Sequence, residues 1–181
     1  MAREFQKIIV MGLGYIGLPT ASMLATKGHQ VLGVDVNAQA VDTINSGRIH
    51  IVEPDLDILV KSAVNSGNLK ASLTPEEGDT FILAVPTPFK EVDGNPKAPD
   101  LAYVEAATRT IAPYLREDNL IILESTSPVG TTERVQEIIH AMRPELVGKV
   151  HTAHCPERVL PGQILRELVD NDRIIGGTTK A

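Results

Sequence analysis

Several short stretches carry residue types that could act together. The first is Gly12-Leu13-Gly14-Tyr15-Ile16-Gly17, which follows the apolar run Ile8–Met11. In a turn from strand to helix, Gly12 permits the tight bend and Gly14 lets the backbone approach a pyrophosphate. Gly17 lets the helix lie close against the strand. Amides at such a helix start attract phosphate, and Tyr15 and Ile16 supply two of them. The second is Asp35, at the end of the next apolar run. A carboxylate there accepts hydrogen bonds from ribose hydroxyls and repels a 2′-phosphate. No arginine follows within Val36-Asn37-Ala38 to hold that phosphate, so NAD is expected rather than NADP. Glycines after a strand, a helix start and an acid after the next strand together form the dinucleotide fingerprint, whereas the glycines alone would be only a turn. Asp35 could also serve as the N-cap of the helix that follows.

Three more runs end in polar chemistry: Pro86-Thr87-Pro88, then Glu124-Ser125-Thr126-Ser127-Pro128-Val129-Gly130, then His154-Cys155-Pro156-Glu157-Arg158. Thr87 and Thr126 carry small hydroxyls suited to ribose or the nicotinamide side, or to stabilising their own turns. Cys155, with His151 and His154 beside it, suggests a nucleophile or a metal site. The spacing lacks a second ligand pair, so no metal is expected, and Cys155 reads as a small buried hydrophobe. His29, His50 and His140 read as surface residues, and Glu145, Lys149, Glu167 and Asp170 as a solvated face.

These positions must be held by elements that alternate along the chain. The apolar runs Ile8–Met11, Val31–Val34, Phe81–Val85, Leu120–Leu123 and Val150–Ala153 are continuous, as strands covered on both faces are, with Ile174-Ile175 as a weaker last strand. Between them lie helical stripes. Leu56, Leu59, Val60, Ala63 and Val64 form one, opened by Asp55 as N-cap and closed by Gly67. Val104, Ala107, Ile111 and Leu115 form a second, capped by Asp100. Val135, Ile138, Ile139 and Met142 form a third, ending before Pro144. The segment Pro86 to Asp100, with Pro86, Pro88, Gly94, Pro96 and Pro99, reads as a long loop. The pattern predicts an α/β fold of Rossmann type: a doubly wound, mostly parallel sheet flanked by helices over residues 1–181. Ligands in such sheets bind beyond the carboxyl ends of the strands, where every polar segment above falls.

Composition agrees with a globular domain: 181 residues, 43% hydrophobic and 22% charged. A net charge of −6 argues against a nucleic-acid partner, which needs a basic face. No apolar run is long enough for a membrane span. Met1 to Lys7 leads straight into the first strand, leaving no space for a signal peptide, so a cytoplasmic location is expected. A single cysteine excludes an internal disulfide.

Taken in order, Gly12 to Pro19, Asp35, Val85-Pro86-Thr87-Pro88, Ser125 to Thr132 and Cys155 to Gly162 resemble the UDP-glucose/GDP-mannose dehydrogenase family, over essentially the whole chain. Pro156-Glu157-Arg158-Val159-Leu160-Pro161-Gly162 is similar to the branch acting on N-acetylated UDP-hexosamines, and Ile49 to Pro54 with Glu124 to Gly130 resemble its members acting on UDP-N-acetyl-D-mannosamine. The UDP-glucose branch shows a Phe-Leu-Arg-Glu continuation after its Pro-Glu pair.

The resemblance implies a reaction. The sugar C6 alcohol is oxidised to the aldehyde, captured by a cysteine as a thiohemiacetal, oxidised to a thioester and hydrolysed to the uronate, with two NAD accepting hydrides. The product would serve surface polysaccharide synthesis. By motif, Gly12, Gly14, Tyr15, Ile16, Gly17, Asp35, Thr87 and Thr126 would bind NAD, and Arg158 and Val159 the UDP-N-acetylhexosamine. Glu157 and Thr126 would be the catalytic residues within this chain, Glu157 as a buried carboxylate of raised pKa that orients water or moves protons. The family's nucleophilic cysteine lies in a later Gly-Gly-x-Cys segment, preceded by a lysine and an asparagine, and none of these is present here. The chain is therefore expected to be the NAD-binding domain, without the middle helical and C-terminal domains, binding NAD without turnover, and exposing apolar surface. The whole protein is expected to be a homodimer. Competing expectations are a UDP-N-acetylglucosamine or UDP-glucose dehydrogenase, a 3-hydroxyacid dehydrogenase and a non-catalytic NAD-binding module.

Overall fold

The computed structural model describes residues 7–92 and 95–179. The chain runs β1 (Lys7–Met11), α1 (Gly17–Thr26), β2 (Gln30–Val34), α2 (Ala38–Asn45), α3 (Leu56–Asn65), β3 (Leu69–Ser72), β4 (Thr80–Leu83), β5 (Phe89–Val92), β6 (Asn95–Pro99), α4 (Ala102–Ile111), β7 (Leu120–Leu123), α5 (Thr131–Met142), β8 (His151–His154), α6 (Ile164–Asp170) and β9 (Gly176–Gly177). The main sheet has the order β3-β2-β1-β4-β7-β8-β9, parallel from β3 to β8. The chain winds outward from β1 through β2 to β3, returns to β4, and winds the other way through β7 to β8. The order thus reverses between β1 and β4, where a crevice must open.

Alternate residues of β1, β2, β4 and β7 feed opposite cores. Ile8, Val10, Val31 and Ile82 pack with α1 and α3 through Leu18, Ala21, Val60 and Ala63. Ile9, Met11, Phe81 and Leu83 pack with α4 and α5 through Val104, Ile111, Val135 and Ile139. With both faces covered, the strands need no polar alternation. No helix among the described residues is long and apolar enough to cross a membrane.

Several sequence expectations are corrected. Ile174 and Ile175 are exposed residues outside any strand, and the last strand is β9, two glycines antiparallel to β8. The Pro86–Asp100 loop contains a two-stranded antiparallel ribbon, β5 with β6, that pairs Phe89 with Pro99 and Lys90 with Ala98. Prolines fit there because each strand of an isolated pair has a free edge that needs no N–H. Gly94 lies outside the described residues, as do residues 1–6 of the N-terminal reading. The strand β3 escaped detection because its buried Leu69 and Ala71 alternate with polar Lys70 and Ser72, as on a sheet edge.

Asp55 stands at the N-cap of α3 in a left-handed conformation (φ 61°) and its side chain makes no cap bond. Asp100 does cap α4, through Oδ1 accepting from the Ala102 amide at 3.1 Å, although Leu101 is the N-cap residue. The cap of α2 is Asn37, whose Oδ1 accepts from the amides of Gln39 and Ala40, so Asp35 is released from that role. Met142 ends its stripe 41% exposed. His29 and His140 are half-buried rather than surface residues, whereas His50 is exposed. Glu167 is half-buried, with Oε2 accepting from the Leu160 amide at 2.7 Å. Leu160, Val169, Ile174 and Ile175 are exposed apolar side chains.

Candidate dinucleotide site

At the reversal point a cavity of about 400 Å³ opens at the carboxyl ends of the strands. One wall is the turn from β1 to α1, contributing Gly12, Gly14, Tyr15 and Ile16, with Asp35 beside it. The facing wall holds Thr87, Glu124, Thr126, Glu157 and Val159.

The three glycines have different reasons to be glycine. Gly12 has φ +90°, and a Cβ there would lie 2.7 Å from the Ala84 carbonyl oxygen. A Cβ on Gly17 would stand 1.9 Å from the Gly12 carbonyl oxygen, so α1 meets the turn in backbone contact. Around Gly14 nothing lies within 4 Å of the same position. Protein packing explains the first two; the third leaves open space at the start of a helix, where a phosphate group fits. The donor set therefore suits a dinucleotide.

Asp35 braces this turn. Its Oδ2 accepts from the Leu13 amide at 2.9 Å and its Oδ1 from the Asn37 amide at 2.9 Å, leaving lone pairs for ribose hydroxyls. Beside it a second cavity of about 270 Å³ runs between Val34, Val36, Leu73, Tyr103 and Ala107. It is mostly apolar and has the chemistry of a slot for a flat base. Nothing in the sequence pattern singled it out, because its walls come from β1, β2, the β3 end and α4.

On the facing wall, Thr87 Oγ1 donates to the Thr126 carbonyl at 2.7 Å, which ties the β4 and β7 ends together. Ser125 Oγ reinforces the tie by donating to the Val85 carbonyl at 2.7 Å. Beneath them lies a charged cluster that sequence reading missed. Glu124 is 3% exposed, and its Oε1 accepts from Thr20 Oγ1 at 3.3 Å and from Arg173 Nη1 at 3.5 Å. Its Oε2 is buried without a hydrogen-bond partner. Arg173 Nη2 is paired with Glu157 Oε2, and Glu157 Oε1 accepts from the Arg158 amide at 2.8 Å.

The expectation of an unassisted Glu157 is therefore corrected: Arg173 is its partner. The carboxyl held up is that of Glu124. Burial pushes its pKa to about 7 and the Glu157 charge adds to the rise, against the opposing pull of Arg173 and the Thr20 hydroxyl. Glu124 stood within the quoted motif, and an acid directly at the end of an apolar run was the available signal. Arg173 offered none.

Gly17 sits behind the turn and Arg158 outside the cavity. The exposed Arg158 side chain donates from Nη2 to the Asp172 carbonyl at 3.0 Å. Cys155 is buried, but it is not merely a small hydrophobe, since Arg173 Nη1 reaches its Sγ at 3.9 Å. His154 Nδ1 is bonded to the Leu123 carbonyl at 2.9 Å. Among the described residues, no three His, Cys, Asp or Glu side chains gather as metal ligands. The buried Glu53 was also missed as a positioning group. Its two oxygens accept from the Gly162 and Ile164 amides at 2.8 and 2.7 Å and anchor the segment that carries Glu157 and Val159.

Residues 6–181 match the model of the UDP-glucose/GDP-mannose dehydrogenase family, NAD binding domain. The chain belongs to that family. Its members include the NDP-N-acetyl-D-galactosaminuronic acid dehydrogenase of Ralstonia nicotianae, 57% identical across 97% of this chain and 43% of that protein. The UDP-N-acetyl-D-mannosamine dehydrogenase of Escherichia coli K12 is similar to the same extent, 57% identical with the same coverage. Among solved structures of the family, the UDP-N-acetyl-mannosamine dehydrogenase Cap5O of Staphylococcus aureus superposes with a TM-score of 0.87 at 46% identity, covering 96% of this chain and 42% of that one. The chain thus spans about two fifths of the length of these family members, the NAD-binding part.

Proposed function

We propose that this domain provides the NAD site of a nucleotide-sugar 6-dehydrogenase that oxidises a UDP-N-acetylhexosamine, UDP-N-acetyl-D-mannosamine first, to the uronate. The observation that carries the dinucleotide half is the cavity itself, which runs from Asp35 past the open face of Gly14 to Glu157. The sugar half rests on the family and on the two relatives above, whose names share an N-acetylated hexosamine.

In this reading Asp35 holds the adenosine ribose and the slot beside Val36 takes the base. The amides at the start of α1 face the pyrophosphate. Bound NAD supplies the hydride acceptor. Thr87 and Thr126, joined to each other, keep the β4 and β7 ends at a fixed separation across the nicotinamide half. Glu157 is paired with Arg173 at the cavity wall, where it can orient a water molecule or accept a proton. Val159 lines the cavity and Arg158 stands at its margin, so contact of Arg158 with the sugar requires its side chain to leave Asp172.

We further propose that this 181-residue chain binds NAD without turnover. Its single cysteine, Cys155, is buried against Arg173 instead of opening into the cavity. The whole protein is read as a cytoplasmic homodimer whose product enters surface polysaccharide synthesis.

The test is the NADH yield per sugar with the uninterrupted natural protein, comparing the UDP-activated N-acetyl derivatives of mannosamine, galactosamine and glucosamine with UDP-glucose. Two NADH per UDP-N-acetyl-D-mannosamine, with little from the rest, is expected. A preference for the galactosamine derivative moves the substrate to that branch. No NADH from any of them overturns the dehydrogenase reading.

A further inference from the structure

Two carboxylates, Glu124 and Glu157, share one guanidinium, that of Arg173, at the wall of the cavity. With all three ionised the cluster carries an uncompensated negative charge, and both acids are only 3% exposed at the side chain. Water cannot solvate that charge well, so one carboxylate is driven to keep a proton. Geometry selects which. Glu157 has an amide donor on Oε1 and, on Oε2, which makes no hydrogen bond, the ion pair with Arg173 Nη2, whereas Glu124 has two longer bonds on Oε1 and neither bond nor ion pair on Oε2.

The location gives the proton a use. Asp35 follows β2 and Glu124 follows β7, three strand spacings apart across the sheet, about 14 Å. With Asp35 on the adenosine ribose, Glu124 lies toward the nicotinamide end. That ring is a cation in NAD⁺ and neutral in NADH. A nearby cation favours an ionised carboxylate, and a neutral ring does not.

We propose that Glu124 is a proton-coupled positioning residue for the oxidised cofactor: it is protonated in the empty cavity and gives its proton to solvent when NAD⁺ binds, so that the cavity prefers NAD⁺ over NADH increasingly as pH rises. This inference rests on the dinucleotide reading above. The proton leaves the carboxyl O–H, the carboxylate stays behind beside the nicotinamide cation, and no bond of the cofactor changes. The groups facing Glu124 are the Thr20 hydroxyl from α1, Arg173 from the segment after α6, and Glu157 and Cys155 from the β8 end. Asp35 lies across the cavity. Burial holds the Glu124 carboxyl at a titration near neutrality, so the coupling falls between pH 6 and 8.

The test is calorimetric titration of this chain with NAD⁺ and with NADH at pH 6, 7 and 8, each in two buffers of different ionisation enthalpy, which counts the protons exchanged. NAD⁺ affinity is expected to rise about tenfold from pH 6 to 8 with about half a proton released at pH 7, while NADH changes less than about twofold. In Glu124→Gln the rise and the proton release should both vanish. Wild-type NAD⁺ binding that is independent of pH, or accompanied by proton uptake, overturns the proposal. So does a rise that persists in Glu124→Gln. Should that variant fail to fold, the wild-type proton count still decides, and Arg173→Met should move the rise to higher pH. An unmoved rise counts against Glu124. Absence of NAD⁺ binding at every pH overturns the dinucleotide reading as well, whereas pH-independent binding leaves it standing.

Discussion

On the β1–β2 flank of the cavity the chain works with its backbone. Gly12, Gly14 and Gly17 shape a turn with open space at Gly14, and a single carboxylate, Asp35, braces the whole through two amide bonds. All of this lies within 24 residues, from Gly12 to Asp35. On the β7–β8 flank the chain works with side chains drawn from far apart: Thr20, Glu124, Glu157 and Arg173. The first flank holds amide dipoles and one acid at its margin; the second is charged, buried and titratable. A phosphate-binding wall gains from fixed dipoles that need no protonation change, whereas a wall beside the reacting end gains from a charge that can be altered. A shared feature links them, because α1 follows the glycine turn at its start and supplies Thr20 to the acid cluster one turn later.

The comparison can be broken first at Gly17. Gly17→Val puts a branched side chain where even a Cβ would be 1.9 Å from the Gly12 carbonyl oxygen. Neither backbone can yield without separating α1 from β1, so a loss of about 3 kcal/mol or more is expected in urea unfolding.

The charged flank predicts a pH effect on stability. The Glu124 pKa is raised in the fold, from 4.5 to about 7. Its carboxyl therefore favours the folded state most at pH below about 4.5, and that contribution is lost as pH rises to about 7, after which it is flat. The difference is about 3 kcal/mol at most. Glu124→Gln should remove this part of the pH slope and be the more stable protein at pH 8. An unchanged slope would place the titrating group elsewhere.

Smaller and confined to the ligand is Asp35→Asn. It keeps an oxygen for one of the two braced amides but loses the charge toward the ribose. NAD affinity should fall by about 2 kcal/mol, a factor near thirty, with discrimination against NADP reduced.

The smallest effect on the fold is expected at Gly14. With open space around its Cβ position, Gly14→Ala should change stability by less than about 1 kcal/mol. NAD binding should nevertheless weaken more than about tenfold, since the added methyl occupies the approach of the phosphates. Gly17 and Gly14 thus separate a glycine kept for the fold from one kept for the ligand. If Gly14→Ala unfolds the protein, that separation is lost.

Much of this was already legible in the residues. The apolar runs of β1, β2 and β4 became inner parallel strands because strands covered on both faces need no polar alternation, whereas β8, His-Thr-Ala-His, is inner in the sheet yet largely half-buried. The glycine turn and Asp35 were readable because that turn is local, its geometry set by φ angles and by missing side chains that the sequence states directly. Tertiary structure alone decided three things. The Pro-rich segment pairs with itself as β5 and β6, since pairing depends on a partner and not on the residues of one strand. The apolar slot beside Asp35 exists only where β2 and α4 face each other. And the carboxyl that burial holds up is that of Glu124, whose Oε2 finds no partner, because Arg173, 49 residues beyond it and 16 beyond Glu157, folds back to share one guanidinium between the two acids. A carboxyl shows its residue type in the sequence; its charge depends on burial and on the distance to the nearest cation, and both belong to the folded chain.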